Sequence, residues 1–388
     1  VGTVGLAGCS GNGGGGGSGA TIGYLAPLSG PGAFAGENGQ NGVDIAVEEI
    51  NSAGLLDGEI STNVQDTATE PQQAVSAYQT LVSQGVTAII GASSFVISNL
   101  LSRIEDDEIP LITPFATTAG INDTGGQWLW RTQTNDSLIG VGLAEYALQQ
   151  DYNSMALALE QERGTQSLAT VTVNHFEENG GELVKEINLP ANASDFRGEV
   201  QQIVDADPDI VYLGALEDVG SQFVQNYAEV GADIPLIVSD EITNQNFIDL
   251  FDGNEVEGIL GVTLASGPSA DAFAQKHTEE FDSSPGPFAA STYDAVNVTA
   301  LATEQAGEAE RSAVPDGLRA VGGPPGTEVT TFPEGKDALA NDNDVNLIGA
   351  ATPLNFNEFG DVLGPVAIQQ VSDGEWSVAE VIPESDLQ

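Results

Sequence analysis

The sequence predicts an α/β fold with two doubly wound parallel-sheet lobes. Short apolar strands alternate with amphipathic helices, and the alternation restarts past the middle of the chain. Gly85-Val86-Thr87-Ala88-Ile89-Ile90-Gly91 and Pro208-Asp209-Ile210-Val211-Tyr212-Leu213-Gly214 hold matching places in the two halves. At 388 residues the chain has room for about two domains of roughly 150 residues each. Its 40% hydrophobic content can fill a core in both.

The first strand is expected over 21–25. Val43, Ala46, Val47 and Ile50 then mark a helix face, which Asn51-Ser52-Ala53-Gly54 ends. Pro71 opens a second helix, with Ala74, Val75, Tyr78, Leu81 and Val82 on one face, and Gly85 stops it. Residues 86–90 read as a buried strand, and Val96, Ile97, Leu100, Leu101 and Ile104 as the helix after it. In the second half, strands are expected over 155–159, 182–189, 210–213 and 236–238. Helices between them end at Phe176, run over 196–204 and run over 219–230.

Beyond Ser266 come a helix through Phe273 and Phe281, a longer one over 289–306, and an irregular stretch at Gly322-Gly323-Pro324-Pro325-Gly326. The end is strand-like at 354–356, 366–371 and 376–382. The middle helices are expected to return to the first lobe and the last strands to the second. The expected division is 20–136 plus 266–345 for lobe 1 and 137–265 plus 346–388 for lobe 2.

Residues 1–19 differ from the rest. Leu6-Ala7-Gly8-Cys9 is similar to a lipoprotein box, where signal cleavage exposes a cysteine for lipid attachment. A glycine tract from Gly11 to Gly19 follows as a flexible tether. The signal ahead of Cys9 reads as truncated, and a free cysteine in a flexible end is the alternative. A GxGxxG spacing can be traced in the tract, but it follows no strand and opens no helix, so it is no phosphate loop.

Nine Lys and Arg against 58 Asp and Glu give a formal charge of −49. Binding nucleic acid or an anionic membrane surface requires clustered cations, which so few basic residues do not provide. Glu48, Asp106, Glu178, Asp207, Glu257, Glu308 and Asp361 sample the whole chain, so the charge is no interaction tail. At molar salt the Debye length is about 3 Å and the self-repulsion is screened, which fits a high-salt habitat. One cysteine makes no internal disulfide. His175 and His277 belong to no metal, Ser-His or Cys-His pattern and read as solvated helix residues. GxSxG, HExxH and P-loop motifs are missing, and no enzyme, cofactor or metal is expected. Asp342, Asp344 and Asn346 imitate a calcium loop, but Leu347 stands where its turn glycine belongs. Glu48-Glu49 and Asp106-Asp107 read as hydrated surface, and no apolar run reaches the roughly 18 residues of a membrane helix.

In open α/β sheets ligands sit at the carboxyl ends of the strands, beside helix N-termini. That selects Gly91-Ala92-Ser93-Ser94, Thr113-Pro114-Phe115-Ala116-Thr117-Thr118, Glu160-Gln161-Glu162-Arg163-Gly164, Gly214-Ala215-Leu216-Glu217 and Ser239-Asp240-Glu241. Ser93, Ser94 and Thr117 can donate to a carboxylate or cap a helix. Glu241 can take an ammonium. A free α-amino acid needs both. Arg163, one of six arginines, is either a cation for the ligand or a surface partner for an acid.

The whole order resembles the substrate-binding proteins of branched-chain amino acid ABC importers, the leucine/isoleucine/valine-binding family with the type I periplasmic-binding fold. The resemblance rests on Leu28-Ser29-Gly30-Pro31 with Gly36 and Gly42, Glu49-Ile50-Asn51-Ser52-Ala53-Gly54, Asp66 with Glu70-Pro71 and Ala74-Val75, Thr113 to Thr117, Trp130-Arg131-Thr132, and Phe356-Asn357-Glu358-Phe359-Gly360-Asp361. It implies two lobes joined by a three-crossover hinge that close on a small solute. It also implies a permease with ATPase subunits as partner, an extracellular location, and membrane contact only through a lipid at Cys9. Carried over by position, Ser94 and Thr117, with Phe115 and Ala116 beside them, hold the ligand's carboxylate and amine. Ser93 remains a candidate because the match at Ser94 needs a one-residue gap. Glu241 meets the ammonium, and Tyr293 is an aromatic near the cleft. The chain departs from the family at Arg163-Gly164, where a Tyr-Gly is common, and at Phe34-Ala35, where a bulky polar or aromatic pair is common. A cation there suits a polar or anionic ligand better than leucine. A ligand-sensing receptor domain, or a binding protein for amides or carboxylates, is the alternative. Sequons at Asn122, Asn135, Asn192 and Asn297 are compatible with an exterior location.

Overall fold

The first strand, β1 (Ala20–Ala26), is buried at six of its seven residues and leads into α1 (Ala33–Ala53). Gly54, at φ 76°, ends that helix by donating its N–H to Ile50 O. The chain continues through β2 (Ile60–Asp66), α2 (Pro71–Ser83), β3 (Ala88–Gly91), α3 (Leu101–Asp107), β4 (Leu111–Thr113) and β5 (Leu129–Arg131). The structure, a computed structural model, describes residues 19–160, 163–251 and 253–387, with the backbone alone at Asp136, Arg163 and Gly164. Cys9, its lipoprotein-box likeness and most of the glycine tract lie outside the described residues.

The first sheet has the order β2-β1-β3-β4-β5, all parallel. The continuous apolar run of β3, buried on both faces, is what a parallel sheet between helix layers requires. A second unit follows: α4 (Asp136–Gln149), β6 (Ser154–Glu160), α5 (Arg163–Glu178), β7 (Glu182–Leu189), α6 (Arg197–Ala206), β8 (Ile210–Gly214), α7 (Glu217–Val230), β9 (Leu236–Val238), α8 (Gln245–Ile248) and β10 (Leu260–Leu264). Its strands β7-β6-β8-β9-β10 repeat the order of the first sheet. The expected equivalence of 85–91 and 208–214 holds, since β3 pairs β1 as β8 pairs β6.

The remaining elements are α9 (Ala270–Phe281), α10 (Ala289–Ala306), α11 (Val314–Val321), β11 (Thr327–Val329), α12 (Phe332–Ala340), β12 (Val345–Leu347), β13 (Val366–Ser372) and β14 (Glu375–Ile382). β13 adds antiparallel to β10, and β14 to β13. Phe273, Val296, Leu318, Phe332, Leu354 and Val362 share a core with β1 and α1. Ile368 and Ile382 share one with α4, α5 and β8. The backbone therefore passes between the two sheets at 132–135, 265–269 and 363–365; the expected division at 345/346 is displaced, because Leu347, Ala350, Leu354 and Val362 pack in the first core. Among the described residues no helix is long and apolar enough to cross a membrane.

Several expectations are corrected. Residues 354–356 form no strand; only an isolated bridge joins Phe356 to Val362. The helix expected after β3 breaks into a 3₁₀ turn, Ile97–Asn99, and α3. His277 is 1% exposed rather than solvated. Its Nδ1 meets Ser283 O at 2.8 Å, its Nε2 meets Asn41 Nδ2 at 3.2 Å, and its ring lies between Phe273 and Phe281, the i−4 and i+4 neighbours on one helix stripe. His175 is half-buried and pairs with Glu145 at 2.6 Å. Glu49 is not free surface, because it pairs with Lys276 and accepts from Tyr293. The sequon Asn297 is 1% exposed, donating to Tyr293 O and accepting from Phe332 N–H.

Candidate functional site

In both sheets the strand order reverses at the first strand, between β1 and β3 and between β6 and β8. Connections leave in opposite directions there and open a crevice at the carboxyl ends. On the first sheet, Asp66 ties the loop after β1, accepting from Leu28 N–H at 2.9 Å, Ser29 N–H at 3.2 Å, Ser29 Oγ at 2.6 Å and Ala68 N–H at 2.7 Å. Burial pushes the Asp66 carboxyl up, but these four bonds outweigh it and hold it below the usual carboxylate range. That loop delivers Phe34, 54% exposed, at the start of α1. Its ring faces Phe288 at 6.5 Å, and Phe288 meets Phe115 edge-on at 5.7 Å.

After β3 the chain turns through Gly91 at φ 139° and Ala92 at φ 64°. Ala92 N–H donates to Leu25 O at 2.7 Å, which draws the next residues over the sheet edge. Neither serine is a helix cap, as the following turns have no side-chain cap bond. Ser94 Oγ accepts from the N–H groups of Thr117 at 3.1 Å and Thr118 at 3.3 Å. Ser93 is bridged to Phe115, and its buried Oγ has no hydrogen-bond partner among the described residues. Thr113 Oγ1 donates to Ala92 O at 2.7 Å and accepts from Phe115 and Ala116 N–H. Thr118 Oγ1 accepts from Gly120 N–H, so the cap here is Thr118 and not Thr117. Arg131, 1% exposed, fixes the same loop: Nη1 donates to Thr118 O at 3.1 Å, Nη2 to Asn122 Oδ1 at 2.5 Å and Nε to Asp361 Oδ1 at 2.6 Å. Phe34, Ser93, Ser94, Phe115, Ala116 and Thr117 are thus assembled on one edge.

The second sheet's edge is rich in acceptors. Glu160 ends β6 almost fully buried, its Oε2 accepting from Leu216 N–H at 2.8 Å. Ser239 Oγ and the Tyr212 hydroxyl are buried without hydrogen-bond partners among the described residues. Burial first, then the charges of Glu241 and Asp240, push the Tyr212 phenol well up, so it stays a neutral donor. Glu241 is exposed on the turn after β9. Arg163 opens α5, and its side chain lies outside what is described.

Tyr293 is not part of this assembly. It is 2% exposed, and its hydroxyl donates to Glu49 Oε2 at 2.6 Å while Lys276 Nζ reaches that hydroxyl at 3.3 Å. Glu49 lies on α1 about 22 Å along the axis from Phe34 at 1.5 Å per residue. Charged walls from Glu48, Glu49, Lys276 and Lys336 line a cavity of about 660 Å³ at that distal end. A cavity of about 340 Å³ lies by the lobe-to-lobe passages, lined by Gln133, Leu264, Phe273, Phe288, Ser291 and Ala351. Sequence reasoning missed Phe288 and Tyr212, whereas Ser239 lay in the strand-end segment Ser239-Asp240-Glu241 that it selected. Pro285-Gly286-Pro287 before Phe288 was the available signal of a fixed turn.

Comparison with known proteins agrees with the architecture. The periplasmic binding protein family profile matches residues 19–346. The Leu/Ile/Val-binding protein BraC3 of Rhizobium johnstonii is 27% identical over 302 residues, 75% of this chain and 80% of that protein. The leucine binding protein LivK of Thermotoga maritima superposes with a TM-score of 0.72 at 22% identity, covering 95% of this chain and 99% of that one. A solute binding protein of an ABC transporter from R. palustris, solved with benzoate, gives a TM-score of 0.69 at 19% identity, covering 94% and 96%. With the profile spanning both sheets and the strand order repeated in each, the chain belongs to the periplasmic binding protein family and has its type I fold.

Proposed function

We propose that this protein is the solute-binding component of an ABC importer. It captures an amino acid or a related small solute between its lobes and delivers it to a membrane permease whose ATPases drive import. The observation that carries this reading is the pairing of two unlike strand-end edges. The first offers the hydroxyls of Ser93, after β3, and of Thr117, on the loop after β4 that Ser94 pins. The second offers Glu241 and Glu160. Donors on one side and carboxylates on the other match a zwitterion, with Ser93, Ser94 and Thr117 toward the carboxylate and Glu241 toward the ammonium. Phe34, Phe115 and Phe288 wall the apolar part of the ligand, and Arg163 stands at the second edge. The lobes divide at the three passages, 132–135, 265–269 and 363–365, and closure is a population shift driven by contacts made to both edges at once. A lipid on Cys9 keeps the protein at the outer face of the membrane, and the acidic surface suits high salt.

BraC3 is named for leucine, isoleucine and valine, and LivK for leucine, which supports an amino acid. The aromatic wall and the benzoate-bound neighbour favour, as second reading, a carboxylate without an amine. A thermal-shift panel at molar KCl separates the two. A ligand at about 100 times its Kd adds roughly 2.7 kcal/mol of stability. Stabilisation by α-amino acids and not by their deaminated analogues supports the first reading; the reverse supports the second. Silence across both classes overturns the site.

A further inference from the structure

Asp294 lies on α10, which packs against α1 in the first lobe, and is 2% exposed. Its Oδ1 accepts from Ala350 N–H at 2.8 Å and its Oδ2 from Ala351 N–H at 2.8 Å. Those residues sit at the crossing of the three passages. Ala350 O accepts from Gly267 N–H at 3.1 Å, and Ile348 O from Ser269 Oγ at 3.1 Å, which ties the segment to the second passage. A Cβ on Gly364 would stand 2.5 Å from Thr352 Oγ1 and 2.8 Å from Thr134 Oγ1, so the first and third passages close up against the same segment. Both threonine hydroxyls are buried without hydrogen-bond partners among the described residues. Gly349 is a glycine because a Cβ there would come within 2.5 Å of Asp294 Oδ2.

Of the charged groups around Asp294, all but Asp271 are occupied elsewhere. Glu49 of α1 and Lys276 of α9 meet at the Tyr293 phenol. Asp271 of α9 lines the cavity that Ala350 and Ala351 also line. From α11, Arg319 donates to Gly126 O and covers Trp130. From α12, Lys336 donates to Ala53 O and Gly54 O and faces Glu304. The segments β3 and β4 carry no titratable residue. Among the described residues no cation pairs with Asp294. Burial therefore pushes its carboxyl up to about 7, although the two backbone bonds pull it down.

Resting on the hinged-closure reading above, we propose that Asp294 is a positioning residue of the hinge, gripping or releasing the Ala350-Ala351 segment, against which the passages pack, according to whether it carries a proton. As a carboxylate it has an acceptor for each N–H. Protonated, one oxygen becomes a donor and a far weaker acceptor, so the hydrogen bond to one amide is weakened. Grip pre-organises the segment the passages lean on, so the lobes sample a narrower range of angles when Asp294 is ionised.

The test is a lobe-to-lobe distance without any ligand. Spin labels go on exposed Ser98 of the first lobe and Gln201 of the second, each changed to cysteine in a Cys9→Ser chain, in molar KCl. The distance distribution is expected to narrow between pH 5.5 and 8.5 with a midpoint near 7 in the parent, and to stay unchanged in Asp294→Asn. Equal narrowing in both chains, or none in the parent, overturns the proposal. If Asp294→Asn does not fold, hydrogen exchange of the parent decides: protection of the Ala350 and Ala351 amides, corrected for intrinsic rate, must rise severalfold across that range, and flat protection overturns it. Ligand titration of the parent stands apart: a chain that binds no solute but shows this pH response refutes the transport reading and leaves the hinge assignment in place.

Discussion

Ser94 and Thr117 follow different strands, β3 and β4, and Ser94 Oγ accepts the Thr117 N–H at 3.1 Å. The serine that sequence reasoning placed opposite a ligand thus first organises the loop carrying the threonine. Its hydroxyl is already engaged by two amides, while the Thr117 hydroxyl has no hydrogen-bond partner among the described residues. The two substitutions should therefore separate. Ser94→Ala is expected to cost about 1–3 kcal/mol of stability, from two hydrogen bonds of roughly 0.5–1.5 kcal/mol each. Thr117→Ala should stay within about 0.5 kcal/mol of the parent and instead raise the ligand Kd about tenfold. Urea unfolding and calorimetric titration at molar KCl check the pair.

Phe34 is more than half exposed, so its truncation removes little from the folded core. If it walls the ligand, Phe34→Ala raises Kd by about tenfold or more with a melting temperature within a degree or two of the parent. An unchanged Kd would place the ligand away from the aromatic wall.

The buried Arg131–Asp361 pair, 2.6 Å apart, joins the Thr118 loop to the segment that leads into the third passage. Asp361→Ala leaves a buried guanidinium without its carboxylate and is expected to cost about 3–5 kcal/mol. Molar salt should not reproduce the loss, because the pair is shielded from solvent. Denaturant midpoints of parent and variant across KCl concentration check this.

Asp66 gives a pH signature. Its folded pKa is depressed, so the stability it contributes is present above the unfolded value near 3.9 and is lost as pH falls through the folded one. The melting-temperature gap between the parent and Asp66→Asn should be open at pH 7 and close on acidification below about 4.

Asp294 has the opposite sign. Its folded pKa, about 7, is raised by burial, so its contribution is fully present below about pH 4 and is lost as pH rises to 7. The stability of the parent relative to Asp294→Asn should decline over that interval and level off above it. Thermal melts from pH 4 to 8.5 measure the slope, which is independent of any constant offset from the lost amide bond.

The sequence by itself determined the two-lobed α/β architecture, because strand and helix periodicity are local consequences of which faces must be apolar. It placed β7, β9 and α10 to the residue. It also brought Ser93, Ser94, Phe115 and Thr117 to one sheet edge, since strand order and loop position follow from the repeating βα unit. Tertiary structure alone decided what those side chains meet. Ser94 found two amides and not a helix end. Tyr293, with the same local signals as a cleft aromatic, turned to Glu49 and Lys276 because α1 and α9 pack over it. His277 was buried by a phenylalanine stripe whose significance depends on the facing helix. The 340 Å³ cavity and the carboxylate of Asp294 at the passages join residues more than fifty positions apart, such as Asp294 and Ala350. Periodicity reports which face of an element is buried. Which polar atom receives a partner across that face is fixed only when the elements pack.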